Sequence, residues 1–487
     1  MAIRLFLTVW LVYGAHLTSN VVRETYLAVA LGDRLSIRVD PFLGLHPDLF
    51  EMPGRGAYIN SNPGASMLGA IPYVAARPVM EALFRLKPEL VAPKPPTTYD
   101  DPRLNRSRFM NEMRARGLDV KLALAAFSMQ LGLMAPLGAF AAVVMYRLLS
   151  LRLGDERRAL WLALLYAFGS PLFFRSAFLN QNAILAHLVF FAWALLAWPG
   201  QAPESRGKRW LAAGGLLGLG LLCDYSAVPL CLAFGVWALW EGWRAAGFME
   251  AVKRGAILGA GALGPVAVLF AYQYAAFGNP WFPAQRYMPE TEFSTSGVTG
   301  FTSPTLDLLW RNLLDPAYGL FAFCPMLVAA LLTPLLRRTR GAPPPGESLF
   351  VLGACAGLWL FNSANQFANL QWNTGVRYMV PAVPLLFVLL VPVLVALPRW
   401  GVALLVLPTL LISWAVSMLR EDVLTSIERL FTRGPTLPLL IVLRKTAAAY
   451  APFLADGGAY LGLLGVVAVG VMVWGLWTFP ARVAPAG

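Results

Sequence analysis

Charged and polar side chains that could act on a substrate collect in one stretch of the sequence, from Ser19 to Ser66. Within it, Glu24 stands next to Arg23, directly after the first apolar run. A carboxylate at a half-dry interface can hold a raised pKa and remove a proton from a hydroxyl group. The alternative is an ordinary interfacial ion pair between Glu24 and Arg23, and the sequence leaves both interpretations open.

Three more candidates, Asp40, His46 and Asp48, lie in the segment RVDPFLGLHPDLF. A second carboxylate would orient a substrate hydroxyl or bind a divalent cation, whereas a solvated or turn-capping side chain is the structural alternative. The four cysteines lie in or beside apolar runs without the spacing of metal ligands. The sequence therefore indicates no set of metal ligands and identifies no cofactor with certainty, and it leaves a requirement for a divalent cation open.

A later candidate, Arg377, lies in QWNTGVRYMVP at the end of an apolar run. The planar guanidinium group fits the oxygen atoms of a phosphate, so a phosphate-binding role is one interpretation. The alternative is a side chain that extends to the membrane surface, because an arginine placed deeper would be costly.

The composition is that of an integral membrane protein. Of 487 residues, 58% are hydrophobic and 13% are charged, and the mean hydropathy is +0.60, whereas soluble domains carry about 25% charged residues. The net charge of +13 does not indicate a nucleic-acid partner, because the basic residues form small clusters between apolar runs, as membrane orientation requires.

The elements that must position these residues are apolar runs. A helix of about 20 mostly apolar residues is long enough to cross a bilayer. About twelve such runs are predicted, at Ala2–Thr18, Val120–Leu149, Ala159–Phe174, Ala183–Pro199, Trp210–Leu222, Ser226–Trp240, Ala256–Phe277, Tyr318–Leu336, Leu349–Phe361, Met379–Leu397, Gly401–Met418 and Tyr460–Phe479. The predicted fold class is therefore all-α, a polytopic transmembrane helix bundle that forms a single domain over residues 1–487.

Clusters of arginine and lysine fall on alternate connections, which the positive-inside rule places in the cytoplasm. Both termini are then cytoplasmic, and residues 19–119, 278–316, 362–378 and 419–459 lie on the outer face. The long first extracytoplasmic loop, 19–119, includes a helical pattern at Val21–Leu31 and an apolar segment, Met67–Phe84, that we predict to lie in the membrane interface.

Glycine motifs in the apolar runs indicate helix packing and no nucleotide site. Gly259, Gly261 and Gly264 spell G-x-G-x-x-G, but no strand precedes them. The pairs Gly214-xxx-Gly218 and Gly255-xxx-Gly259 are predicted to let helices approach closely.

Several segments together resemble the GT-C superfamily of polytopic glycosyltransferases, which includes protein O-mannosyltransferases and the lipid A aminoarabinose transferase. RETYLA at Arg23–Ala28 is similar to the family's acidic motif, and INSNPGASMLGAIPY at Ile59–Tyr73 is similar to its turn into an interfacial helix. FGNPW, LLDPAYGLFAFCPMLVA and QWNTGVRYMVPAVPLL resemble later family segments. Arg23 stands where the family has the first acid of a pair.

The resemblance implies transfer of a hexosyl or pentosyl group from a polyprenyl-phosphate donor to a hydroxyl of a lipid, glycan or protein acceptor on the extracytoplasmic face. It implies catalytic roles for Glu24 or Asp40. It also implies two binding sites. The donor-phosphate site would be formed by Arg377, Arg23 and Arg38, and the acceptor site by Tyr26, His46, Asp48 and Asn62.

From the same resemblance we expect the inner membrane of a bacterium, with membrane lipids as further partners. A transporter or flippase of lipid-linked glycans and a glycan polymerase or ligase remain alternatives.

Overall fold

The chain folds almost entirely into α-helices, which confirms the predicted all-α class. The structure is a computed structural model that describes residues 1–100, 104–200, 206–371 and 375–478. Trp372, Asn373 and Thr374 of the QWNTGVRY segment and Phe479 at the end of the last predicted span lie outside the described residues.

The helices of the first half are α1 (Ala2–Ala15), α2 (Arg23–Arg34), α3 (Gly64–Leu86), α4 (Leu104–Ala115), α5 (Asp119–Met129), α6 (Ala135–Leu153), α7 (Glu156–Phe168), α8 (Leu172–Arg175), α9 (Gln181–Ala197) and α10 (Arg206–Cys223). Those of the second half are α11 (Ala227–Ala246), α12 (Phe248–Phe277), α13 (Leu306–Leu314), α14 (Leu320–Phe323), α15 (Pro345–Ala364), α16 (Val383–Ala396), α17 (Arg399–Leu419), α18 (Val423–Arg433), α19 (Pro438–Lys445), α20 (Ala447–Tyr450) and α21 (Leu454–Thr478). A π-helical turn, Gln130–Met134, joins α5 to α6. Short 3₁₀ segments are Asp40–Phe42, Pro88–Leu90, Ala284–Arg286, Pro325–Leu336, Gln366–Leu370 and Val380–Ala382.

Five helical stretches are long and apolar enough to cross a membrane: Asp119–Leu153, Phe248–Phe277, Pro345–Ala364, Arg399–Leu419 and Tyr460–Thr478. Four shorter apolar segments accompany them: Ala2–Ala15, Gln181–Ala197, Pro325–Leu336 and Val380–Ala396. These helices make the chain an integral membrane protein, while the predicted number of about twelve spans stays a prediction.

Connections that the positive-inside rule assigns to one side meet at one end of the bundle. The backbone N–H of Thr18 donates to the carbonyl of Ala177 at 3.0 Å, and Nη1 of Arg420 donates to the carbonyl of Phe174 at 2.8 Å. The first loop, the connection after α7 and the connection after α17 therefore lie together. Which side of the membrane this end faces stays a prediction.

The basic connections meet at the opposite end. Arg152, in the last turn of α6, pairs with Glu347 of α15 at 2.7 Å. Arg4 at the start of α1 donates to the carbonyl of Trp477 near the end of α21. The start of α1 thus lies beside the end of α21, as expected if the two termini share one side.

The first loop contains a β-hairpin that the all-α prediction missed. Strand β1 (Leu49–Met52) pairs antiparallel with β2 (Gly56–Ile59), so that Leu49 lies opposite Ile59. Gly54 and Gly56 adopt φ values of 71° and 104°, a region that favours glycine. Four-residue strands give too short a pattern to recognise by periodicity, although the segment PGRG is a turn signal.

The interfacial segment predicted at Met67–Phe84 forms one longer helix, α3, which continues through Pro72 and Pro78. It packs against α2 and α5, where Arg77 Nη1 donates to the carbonyl of Gly32 at 2.6 Å. Its position in the membrane interface stays a prediction.

Close helix approach is confirmed at Gly214 and Gly218, where an added Cβ would meet the carbonyl oxygens of Leu258 and Ala262 on α12. The prediction for Gly255-xxx-Gly259 is confirmed at Gly255, where a Cβ would lie 3.2 Å from Cδ2 of Leu239 on α11, and is wrong at Gly259, where a Cβ would meet open space. Gly261 makes the contact instead, against the backbone of α10. Residues two apart lie on nearly opposite faces of a helix, which explains the difference.

Candidate active site

Helix α2 begins at Arg23 and carries Glu24 in its first turn. Helix formation is favoured there because the positive end of the helix dipole stabilises a carboxylate in the first turn. Glu24 is 5% exposed and therefore buried. The sequence thus places a carboxylate in a dry environment with an arginine as its immediate neighbour.

The β-hairpin brings two further polar residues to the same place. Asp48 precedes β1 and Asn60 follows β2, so the antiparallel register sets them side by side. The backbone N–H of Asn60 donates to the carbonyl of Asp48 at 3.1 Å, and Nδ2 of Asn60 donates to Oδ1 of Asp48 at 3.0 Å. The hairpin therefore presents a carboxylate and an amide as a fixed pair.

Arg23 joins α2 to the hairpin. Its Nε donates to Oε1 of Glu24 at 2.8 Å, and its Nη1 donates to Oδ2 of Asp48 at 2.8 Å and to Oδ1 of Asn60 at 2.9 Å. Ser61 Oγ donates to Oε1 of Glu24 at 3.2 Å. We call these five residues, Arg23, Glu24, Asp48, Asn60 and Ser61, the Arg23 cluster.

The two carboxylates of the Arg23 cluster differ in how many of their oxygens accept a hydrogen bond from the protein. Both oxygens of Asp48 accept hydrogen bonds, one from Asn60 and one from Arg23. Both hydrogen bonds to Glu24 end on Oε1, and within the described residues Oε2 accepts none. Glu24 consequently has an oxygen available for a substrate hydroxyl, whereas each oxygen of Asp48 already accepts one hydrogen bond.

Electrostatics reinforce this difference. Burial by itself raises the pKa of Asp48, but Arg23, His46, Arg377 and the hydrogen bond from Asn60 lower it by more, so the pKa lies below its ordinary value. A carboxyl with a lowered pKa stays ionised at neutral pH and is a weak proton acceptor. Asp48 is thus suited to hold Arg23 in place.

His46 is neutral in this environment. Burial is the largest effect and lowers the pKa of His46; Asp48 opposes it, and Arg23 and Arg377 add to it. Nδ1 of His46 accepts the backbone N–H of Asp48 at 3.0 Å. In the neutral ring Nε2 then carries the proton and can donate to a substrate.

Arg377 lies close enough to the Arg23 cluster for its charge to lower the pKa of Asp48 and His46. Its backbone N–H, with that of Tyr378, donates to Oε1 of Gln371 at 3.1 Å. The loop after α15 therefore delivers Arg377 to residues more than three hundred positions earlier in the chain.

Two further arginines extend this positive region. Arg175 is 3% exposed, and its pKa is lowered by burial and by the charges of Arg377 and Arg420. The guanidinium groups of Arg175 and Arg420 lie 5.7 and 5.3 Å from the ring centre of Phe178. We call Arg175, Arg377 and Arg420 the arginine group; it is suited to bind an anion with several oxygens.

The structure does not bring Asp40 and Arg38 to the Arg23 cluster. They pair with each other at 2.8 Å, with side chains 44% and 53% exposed, and Asp40 also accepts the backbone N–H of Ala57. Within the described residues neither forms a hydrogen bond or ion pair with Arg23, Glu24 or Asp48. The geometry supports a role in holding β2, and their predicted catalytic and phosphate-binding roles stay predictions.

Tyr26 and Asn62 have structural partners. Tyr26 is 1% exposed, donates to the carbonyl of Leu45 at 3.2 Å and packs on Phe42 and His46. Asn62 donates to the carbonyl of Leu221 at 2.8 Å and so fastens the first loop to α10. Their predicted contact with an acceptor stays a prediction.

Sequence reasoning missed Asn60, Ser61, Arg175 and Arg420. Asn60 and Ser61 stand beside Asn62 in the polar turn INSNPG, and only the hairpin register shows which of them faces Arg23. Arg175 offered a signal as an isolated arginine between two apolar runs. Within the described residues no group of three or more His, Cys, Asp or Glu side chains could hold a metal ion.

One family model agrees with the sequence resemblance over part of the chain. The family model described as dolichyl-phosphate-mannose-protein mannosyltransferase matches residues 127–272. This match confirms the resemblance for that segment, which is less than a third of the chain and includes Arg175 but none of the Arg23 cluster. No curated protein sequence matches the chain.

Among solved structures, the chain is similar to ArnT from Cupriavidus metallidurans, whose crystal structure was determined bound to undecaprenyl phosphate. The sequences are 16% identical, the TM-score is 0.49, and the likeness covers 97% of this chain and 77% of ArnT.

Proposed function

We propose that this protein is a membrane glycosyltransferase that moves a sugar from a polyprenyl-phosphate donor to a hydroxyl group of a lipid, glycan or protein. The observation that carries the proposal is that Glu24, with Oε2 available, and Arg377 of the arginine group both lie close enough to His46 to affect its pKa. The mannosyltransferase family match over residues 127–272 supports the same class of reaction.

In this proposal Oε2 of Glu24 accepts the proton of the acceptor hydroxyl. The acceptor oxygen bonds to the anomeric carbon of the sugar as the bond from that carbon to the phosphate oxygen breaks. The electron pair of the broken bond stays on polyprenyl phosphate. The arginine group stabilises the charge that develops on this phosphate, where preorganised donors have their largest effect.

The remaining parts of the Arg23 cluster position these groups. Asp48 and Asn60 hold Arg23, and Arg23 holds Glu24. Nη2 of Arg23 donates no hydrogen bond within the described residues, which leaves it for an oxygen of the donor. The polyprenyl tail would lie among the membrane helices, and the site would face the outside of a bacterial inner membrane, with both termini cytoplasmic.

The experiment is to incubate the purified protein with a panel of polyprenyl-phosphate sugars and candidate acceptors, and to measure released polyprenyl phosphate. We expect release with one class of sugar, and release that increases with acceptor. Movement of intact donor across a vesicle without release would favour a transporter or flippase. Transfer of whole oligosaccharides would favour a polymerase or ligase.

A further inference from the structure

Arg23 is surrounded by oxygen atoms in a way that is typical of a bound cation. Two carboxylate oxygens, Glu24 Oε1 and Asp48 Oδ2, and the amide oxygen of Asn60 lie 2.8, 2.8 and 2.9 Å from its nitrogens. These ligands come from α2 and from both ends of the hairpin. The side chain of Arg23 is 12% exposed, so the interaction is shielded from water.

The same oxygen set would suit a divalent cation. Carboxylate and amide carbonyl oxygens are the ligands that Mg²⁺, Ca²⁺ and Mn²⁺ prefer. Two carboxylates that flank one side chain repel each other unless a positive charge lies between them. Arg23 supplies that charge from within the chain, and a guanidinium group stays protonated at every physiological pH.

A guanidinium group and a divalent metal ion also differ in the net charge that they leave on the two carboxylates. A dication would neutralise both carboxylates, whereas the single charge of Arg23 leaves one negative charge on the pair. Since Glu24 has Oε2 available, that remaining charge can accept a proton. A divalent ion in the same place would draw electron density from Glu24 and make it a weaker base.

We propose that Arg23, in addition to the donor contact assigned to its Nη2, positions Glu24 by acting as a built-in cation between Glu24 and Asp48, so that the transfer reaction runs without a divalent metal ion. The inference rests on the proposed glycosyltransferase function. It also predicts that removing the Arg23 side chain opens a site for a divalent cation among Glu24, Asp48 and Asn60.

The test has one arm that needs no enzyme activity. Binding of Mn²⁺ to detergent-purified protein is measured by electron paramagnetic resonance for wild type, Arg23→Ala and Arg23→Gln. Arg254→Ala is the matched control, because Arg254 of α12 forms an equally short ion pair with Glu250 outside the cluster. We expect one Mn²⁺ site in Arg23→Ala, weaker binding in Arg23→Gln, and none at this position in wild type or Arg254→Ala.

The second arm measures transfer. Wild-type activity should be unchanged by EDTA, while Arg23→Ala should lose about 10–100-fold, the usual effect of losing a group that orients a site residue. Added Mn²⁺ or ethylguanidinium should restore part of that activity. Arg254→Ala should behave like wild type in every condition.

The proposal is overturned if EDTA abolishes wild-type transfer and Mn²⁺ restores it, or if Arg23→Ala is fully active without an added cation. It is also overturned if wild type binds Mn²⁺ as tightly as Arg23→Ala. If Arg23→Ala does not fold, Arg23→Gln and the wild-type measurements decide the question. A wild type that transfers no sugar contradicts the proposed function, whereas the Mn²⁺ arm still tests the role of Arg23.

Discussion

Arg23 binds two carboxylates that differ in their remaining hydrogen-bonding capacity, and this difference separates their roles. Asp48 uses both oxygens and has a lowered pKa, so it serves as an anchor. Glu24 keeps Oε2 and lies in a buried position, so it can act on a substrate. The sequence left two interpretations of Glu24 open, an ion pair with Arg23 and a role as a proton acceptor. The ion pair exists, and it is compatible with a role as a proton acceptor because Oε2 is not used in it.

Asp48→Asn should destabilise the folded protein at neutral pH, by about 2 kcal/mol in the free energy of unfolding, the usual scale for a hydrogen bond to a charged group. Asp40→Asn is the matched control, because it removes a carboxylate from an exposed ion pair worth about 0–1 kcal/mol. Thermal unfolding of the purified protein in detergent compares both variants with wild type.

The pH dependence follows from the lowered pKa of Asp48. The unfolded carboxyl has a pKa of about 3.9, so its stabilising effect is complete above that pH and is lost as the pH falls through the lower folded-state pKa. The difference in unfolding temperature between wild type and Asp48→Asn should therefore stay constant down to about pH 5 and narrow below about pH 4. An equal difference at all pH values would show that Asp48 does not act through its charge.

At the scale of secondary-structure elements, the site depends on a hairpin that is only four residues long on each strand. Glu24, His46 and Asp48 could be selected from the sequence because carboxylates and a histidine outside apolar runs are conspicuous. Asn60 could not be distinguished from Asn62, because the hairpin register decides which amide meets Arg23. The sequence therefore predicted which residue types form the site, but it did not predict which residues are hydrogen-bonded to each other.

Helices α10 and α12 provide a second test at this scale. Gly214→Ala and Gly261→Ala should each lower the free energy of unfolding by about 1–3 kcal/mol, because the added Cβ would overlap the facing backbone. Gly259→Ala, in the same helix as Gly261, is the matched control. It meets open space and should be neutral, or stabilising by up to about 1 kcal/mol through helix propensity.

Thermal unfolding in detergent measures these three variants. An equal loss of stability in Gly259→Ala and Gly261→Ala would contradict the packing of α12 against α10 through Gly214 and Gly261.

At the scale of the whole molecule, the bundle brings four distant parts of the chain to one end. The first loop supplies the Arg23 cluster, the connection after α7 supplies Arg175, and the loops after α15 and α17 supply Arg377 and Arg420. Arginine clusters on alternate connections predicted this common end. Arg175 and Arg420 were not predicted because no local motif marks them, and their proximity to Arg377 arises from helix packing.

In the proposed function Glu24 performs the chemistry and Arg377 binds the donor phosphate, and one comparison tests both roles. Binding of polyprenyl phosphate and the rate of sugar transfer are measured in parallel for wild type, Glu24→Gln, Arg377→Ala and the control Glu250→Gln, which alters a carboxylate paired with Arg254 on α12.

Glu24→Gln should bind polyprenyl phosphate as wild type does and lose about 10²–10⁴-fold in transfer rate, the usual contribution of a general base. Arg377→Ala should bind it about 10–100-fold more weakly, the effect of losing a charge-assisted hydrogen bond. Glu250→Gln should match wild type in both measurements. Wild-type transfer by Glu24→Gln, or unchanged binding of polyprenyl phosphate by Arg377→Ala, would contradict this assignment of roles.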